Sequence, residues 1–357
     1  MSEVRGHRER AGERLGRAPR WAVTSLAALL AVAPPAVGQN ALPLRHGQLV
    51  VAIGVEAGNA QEEFGEITAG AFVPDGRFLV LDRRFGVLRV FSPDGGMMAA
   101  AGRPGSGPGE FRLPVQVHLL SNRVVLVLDF GLSRFSIFDL TRDSLTFRRS
   151  FQVQSPAKEF CVLGDTLYVA GVRSADTATV TRYTLDGREA GTLGELFLTE
   201  RDPVLAAAVS ARLRIGCLPA KGLVLVASDY LPAIRAYDGR TGERRWEVRL
   251  AAFQETLLER KGTSVFFKVP PSQSIHQVDG LLGLNDGTVL VPLKRTWRRA
   301  EGAPTQSEHE LRLLSPEGRE LSMQRPTPRL VALSQHLLAA EDTTVDYPRV
   351  LIYRRPR

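Results

Sequence analysis

The residues best suited to chemistry lie in the second half of the chain. Trp297-Arg298-Arg299 places an aromatic ring beside two guanidinium groups, the residue types that recur at binding hot spots. Lys261 and Lys268 flank Phe266-Phe267, and Arg201 lies in an alanine-rich stretch from Phe197 to Ala211. These three stretches read as binding surface, whereas the usual catalytic signatures are missing. No Gly-x-Ser-x-Gly elbow for a hydrolytic serine occurs. The glycine-rich run Gly102 to Pro114, GRPGSGPGEFRLP, lacks the Lys-Ser/Thr and the following helix of a phosphate loop. Its glycines are read instead as a tight turn, with Phe111 plugging a gap behind it. Cys161 and Cys217, 56 residues apart, have no metal-binding spacing. In an oxidising compartment they form a disulfide if their Cα atoms approach to about 5.5 Å; otherwise they are buried thiols.

The elements that must position these residues are short strands. Phe78 to Leu81 is a continuous apolar run, Val87 to Phe91 alternates about Arg89, and Ser92-Pro93-Asp94-Gly95-Gly96 has turn chemistry. The same unit recurs, with buried strands starting at 78, 125, 167, 223, 289 and 337. Intervals of 42 to 66 residues suit four short strands with variable loops. A two-sheet sandwich also gives short strands at such spacing. The recurrence, the lack of long helices and the fit of the two ends favour an all-β, six-bladed β-propeller. Its sixth copy stops after a third strand, and Leu49 to Ile53 is a spare strand at the other end. Pairing of Leu49–Ile53 with Arg349–Tyr353 would close the ring and leave no exposed seam. The expected blades span about 67–112, 113–154, 155–205, 206–273, 274–328 and 329–357, with 49–53 completing the last.

Residues 1–38 read as a signal peptide: arginine-rich Arg5 to Arg20, an apolar run from Trp21 to Ala33, then Ala36-Val37-Gly38. The run is shorter than the roughly 20 residues that span a bilayer. The expectation is therefore a periplasmic or secreted monomer without stable membrane insertion. Beyond residue 38 the chain has 40 basic and 35 acidic residues and no Lys/Arg tract, so nucleic acid is not the expected partner.

The run GRPGSGPGEFRLP followed by VLVLDFGLSRFSIFD resembles the linker and blade motif of NHL-type repeats in six-bladed β-propellers. The resemblance is strongest over residues 64–140. It fades later, where Gly171 and Ser228 stand near the place of the aspartate after the buried strand. Enzymes of this architecture hold Ca²⁺ or Zn²⁺ in the channel with carboxylates, amides or histidines. The resemblance thus draws attention to inner-strand residues Glu66, Gln116, His118, Lys158, Glu159, Arg212, His276 and Asp279. His118, His276 and His336 do not fall on one level, as zinc would need, and Lys158, Arg212 and Arg214 would crowd a calcium ring. The leading expectation is a binding or scaffold module without cofactor. It would recognise a small molecule or protein through Trp297, Arg298, Arg299, Lys261, Lys268, Arg201, Lys158, Arg212 and His276. The alternative is a Ca²⁺- or Zn²⁺-assisted hydrolase or lyase at the channel mouth.

Overall fold

The computed structural model describes residues 47–58, 63–154, 157–172, 177–198, 202–269, 273–300 and 303–355. The leader and Arg201 lie outside them. Six antiparallel sheets make six blades of a β-propeller, each running from an inner strand at the channel to an outer strand at the rim. The second strand of each blade carries the apolar run, because it is sandwiched between two neighbouring blades. Phe78–Asp82 and Leu223–Ser228 are buried along their whole length. Outer strands face water and alternate, as Arg244–Arg249 does.

The apolar core is divided into separate clusters between successive blades. Blades 1 and 2 share Leu79, Leu81, Val125 and Val127, with Phe111 of the linker fully inside. Blades 4 and 5 share Leu225, Ile234, Val289 and Val291. Blades 6 and 1 share Ile53, Phe78, Val80 and Ile352. Between blades 5 and 6 lie buried Leu290, Leu311 and Leu313 and half-buried Leu330 and Leu333, whose cross-strand partners Ala340 and Leu338 are fully buried. Each buried side chain of this size stabilises the ring by about 2 kcal/mol.

Closure occurs as the two loose ends demand. Gln48–Ile53 is the outer strand of blade 6, antiparallel to Val350–Arg354, with Leu49 opposite Tyr353 and Ile53 opposite Val350. Among the described residues no helix is long and apolar enough to cross a membrane.

The aspartate of the first two repeats is a clamp. Asp82 accepts hydrogen bonds from the backbone N–H groups of Gly65, Glu66 and Phe85 at 2.8, 3.1 and 3.1 Å. Asp129 does the same with Arg112, Leu113 and Leu132 at 2.7, 3.0 and 3.1 Å. Each carboxylate therefore pins the segment entering its own inner strand to the turn after its second strand. The second strand ends on Ala170 in blade 3 and on Ser228 in blade 4, so those blades hold their inner strands by other means. Asp129→Ala leaves three N–H groups without their charged acceptor and should lower stability by about 2–4 kcal/mol in urea unfolding. Asp143→Ala, at an exposed turn, should change it by less than about 0.5 kcal/mol.

Candidate functional site

Connections from each blade to the next, and the turns between second and third strands, lie on one face of the ring. At its centre the channel opens into a cavity of about 720 Å³ lined by Glu66, Lys158, Glu159, Arg214, Asp279 and Arg329. Arg214, early in the inner strand of blade 4, is the hub. Its guanidinium pairs with Glu159 of blade 3, with Asp229 of its own blade at 2.7 Å, and approaches Asp279 of blade 5 at 3.9 Å. The second oxygen of Glu159 accepts the Ile215 N–H at 3.1 Å. Arg329 donates to the carbonyls of Ile67 and Thr68 and pairs with Glu341 at 3.2 Å, tying blade 6 to blade 1.

Burial raises the Glu159 carboxyl above its ordinary range, although Arg214 and the Ile215 amide pull it back. Burial acts on Asp279 in the same sense. There it is outweighed by the hydrogen bond from His309 and by the charges of Arg214, His309 and Arg329, so Asp279 is held low. The three carboxylates of this network converge on a guanidinium instead of an open metal position. Among the described residues no three His, Cys, Asp or Glu side chains gather as a metal donor set.

Among the described residues Lys158 is the cation of the mouth without a carboxylate partner; it is exposed, with its ammonium 5.2 Å from the centroid of the Phe130 ring. Beside the mouth stands a rim built from the insertions. The stretch after Phe197 forms the helix Pro203–Ser210, capped by the Asp202 side chain on the Val204 N–H at 2.8 Å. The stretch after Gln254 forms a two-stranded hairpin, Leu257–Lys261 and Ser264–Lys268, joined to the helix cap through Arg260 and Asp202. Phe267 stacks on Tyr230 at 4.4 Å, and the Arg212 guanidinium lies 5.0 Å from the Phe267 centroid. On the opposite face of the hairpin Leu257 and Phe266 are 53% and 46% exposed, while Lys261 and Lys268 both pair with Glu259.

The residues singled out from sequence therefore divide. Lys158 lies in the mouth, Arg212 in the rim, and Lys261 and Lys268 on the hairpin. Trp297, Arg298 and Arg299 line a separate recess with Gln254, Glu255 and Arg295. There the Arg295 guanidinium lies 5.4 Å from the Trp297 ring, and Arg298 Nε is buried without a hydrogen-bond partner. The Lys294 to His309 segment is mostly strand, because Val289–Trp297 pairs with Gln306–Leu314 along nine residues.

His276 is corrected: it does not face the channel. It is 3% exposed, accepts the Gln254 N–H on Nδ1 at 2.9 Å and points Nε2 toward Glu310 at 3.8 Å. The inner strand of blade 5 is broken into Ser274–Val278 and Leu282–Gly283, which carries His276 beyond the ring. Gln116 and His118 lie along the channel wall, and the Cys161–Cys217 disulfide joins the inner strands of blades 3 and 4 with a Cα separation of 5.5 Å. Asp229, Arg329 and Glu341 escaped notice. Asp229 follows Ser228 by one residue, and a search of the residue after each buried strand would have found it.

No protein-family model and no curated protein sequence matches the chain. Its fold is similar to that of a DUF4221 family member from Bacteroides vulgatus (TM-score 0.58, 7% identity, 87% of this chain and 97% of the other). It is also similar to a protein of Bacteroides fragilis assigned to the exported class (TM-score 0.50, 11% identity, 87% and 95%). At these identities the likeness establishes the propeller fold.

Removing the hub charge strands three carboxylates. Arg214→Met should destabilise the protein by about 3 kcal/mol at pH 7. Without the guanidinium the folded-state carboxyl pKa values rise above the unfolded ones, so the folded form gains protons as pH falls. The deficit relative to the native chain should shrink in unfolding curves at pH 4.5, and a deficit that grew toward acid would contradict this reading.

Proposed function

We propose that the protein is an exported binding module that takes a small molecule or a protein partner on the crossover face. The observation that carries this reading is the way the chain enters the strand Leu213–Leu218. Arg212 enters the aromatic stack of the rim, and Arg214, two residues on, anchors the charged network of the mouth. Rim insertions and open channel thus form adjoining parts of one surface, which has aromatic and arginine contacts suited to anchoring. Lys158 supplies an ammonium available to an anionic group, and the Trp297–Arg298 recess adds a second anchor. Export is supported by the leader-like residues 1–38 and by a disulfide across two blades.

The metal-assisted hydrolase or lyase has weaker support, because the carboxylates near the mouth are already engaged with Arg214. Elemental analysis of the purified protein separates the two readings: stoichiometric calcium or zinc would put the enzyme first.

Native mass spectrometry of the gently purified full chain tests the binding reading. A retained ligand or partner is expected. Its affinity should fall by about tenfold or more, within the 1–4 kcal/mol range of hot-spot losses, when Trp297 and Arg298 are both changed to alanine. Thermal stability should stay near that of the native chain. Retention unaffected by this pair and by Lys158→Ala and Arg212→Ala would take the site off this face.

A further inference from the structure

The inner strands are stitched to one another around most of the channel. Thr68 Oγ1 of blade 1 donates to the Pro114 carbonyl of blade 2 at 3.4 Å. Gln116 of blade 2 bonds both backbone groups of Phe160 in blade 3, at 2.9 and 2.8 Å. The disulfide joins blades 3 and 4. Blades 4 and 5 approach so closely that only glycine fits: a Cβ on Gly216 would strike the Leu281 carbonyl, and one on Gly283 the Cys217 carbonyl. Arg329 joins blades 6 and 1. Among the described residues no hydrogen bond or ion pair within 4 Å joins the inner strands of blades 5 and 6; Arg329 and Asp279, and Arg355 and Asp286, act on each other across that junction only at longer range, and its contacts are otherwise apolar.

This more loosely joined junction coincides with a second cavity, about 450 Å³, at the other mouth of the channel. That volume suits a small molecule. Its walls include Phe160, the two half-cystines, Leu282 of blade 5 and Leu333 of blade 6. Among the polar side chains that also line it, His118 and Arg355 stand out. His118 has no hydrogen-bond partner on its ring among the described residues, and burial lowers its pKa to about 4, so it is neutral at pH 7. Arg355 of blade 6 donates through Nη1 to the carbonyls of Ser334 and Gln335, at 2.9 and 3.4 Å, and has no ion pair within 4 Å among the described residues, although the Asp286 carboxylate acts on it at longer range. A guanidinium that bonds only carbonyls keeps its charge available to an anion. Asp286 lines the same mouth and would repel a dianion.

We infer that this cavity is a ligand site for a small monocarboxylate with an aromatic or aliphatic body. The carboxylate pairs with Arg355, and the body lies against Phe160, the disulfide, Leu282 and Leu333. The ligand bridges the junction between blades 5 and 6. The walls contributed by blades 2 to 5 are fixed in advance by the stitches, so little ordering opposes binding.

Isothermal titration calorimetry of the full-length chain with phenylacetate and with hexanoate tests the inference. At least one should bind saturably at low millimolar concentration and raise the melting temperature. Phenethylamine and inorganic phosphate should not bind. Arg355→Gln, a change beside the chain end, should weaken binding by about tenfold or more. Arg188→Ala, at an exposed turn that lines neither mouth, should leave it unchanged. The inference is overturned if neither carboxylate saturates, if Arg355→Gln binds as the native chain does, or if Arg188→Ala weakens binding equally.

Discussion

Every blade of this ring is apolar on both faces, and only its two neighbours can cover them. A row of such sheets has no stable end, so the chain must return to its beginning. It does so by lending Gln48–Ile53 to the last blade as its outer strand, where Ile53 enters the same cluster as Phe78 of blade 1 and Ile352 of blade 6. The other features presuppose this closure. The channel exists only because six inner strands surround it, and charges meet in its mouth only because blades 3, 4 and 5 are held side by side.

At the mouth, the electrostatic solution is internal. Burying Glu159, Asp229 and Asp279 near one another would be costly, and Arg214 offsets that cost by serving all three. Lys158 is left outside the network and the rim insertions stand beside it, which is why ligand recognition is placed there. The opposite mouth is built differently, with apolar walls, several amides, a neutral imidazole, and one guanidinium facing the Asp286 carboxylate. One ring thus presents two openings of different chemistry.

Much of this was legible in residue order. The apolar runs from Phe78, Leu223 and Val289 marked the second strands because burial on both faces removes alternation. The spare strand near Leu49 announced closure because an unpaired β-branched segment needs a partner. The aspartate clamp was visible as a repeated residue, though not as a clamp, since its partners are backbone amides that carry no side-chain signal. The Arg214 network was hidden because its members come from separate blades. His276 misled for a related reason: the break at Asp279-Gly280-Leu281 changes which side chains of blade 5 reach the channel, and spacing alone does not reveal a break. The hairpin at Leu257–Lys268 was concealed by apolar pairs, Leu257-Leu258 and Phe266-Phe267, that place hydrophobic groups on both faces.

The account rests most heavily on closure, and hydrogen–deuterium exchange measures it directly. The amides of Val350–Arg354 should be as well protected as those of Leu337–Glu341 in the full-length chain. In a chain lacking residues 39–55, protection should be lost across Val350–Arg354, and Leu337–Glu341 should follow as the edge frays. Protection of Val350–Arg354 that stays unchanged after the deletion would show that the ring is closed some other way and would contradict the central claim.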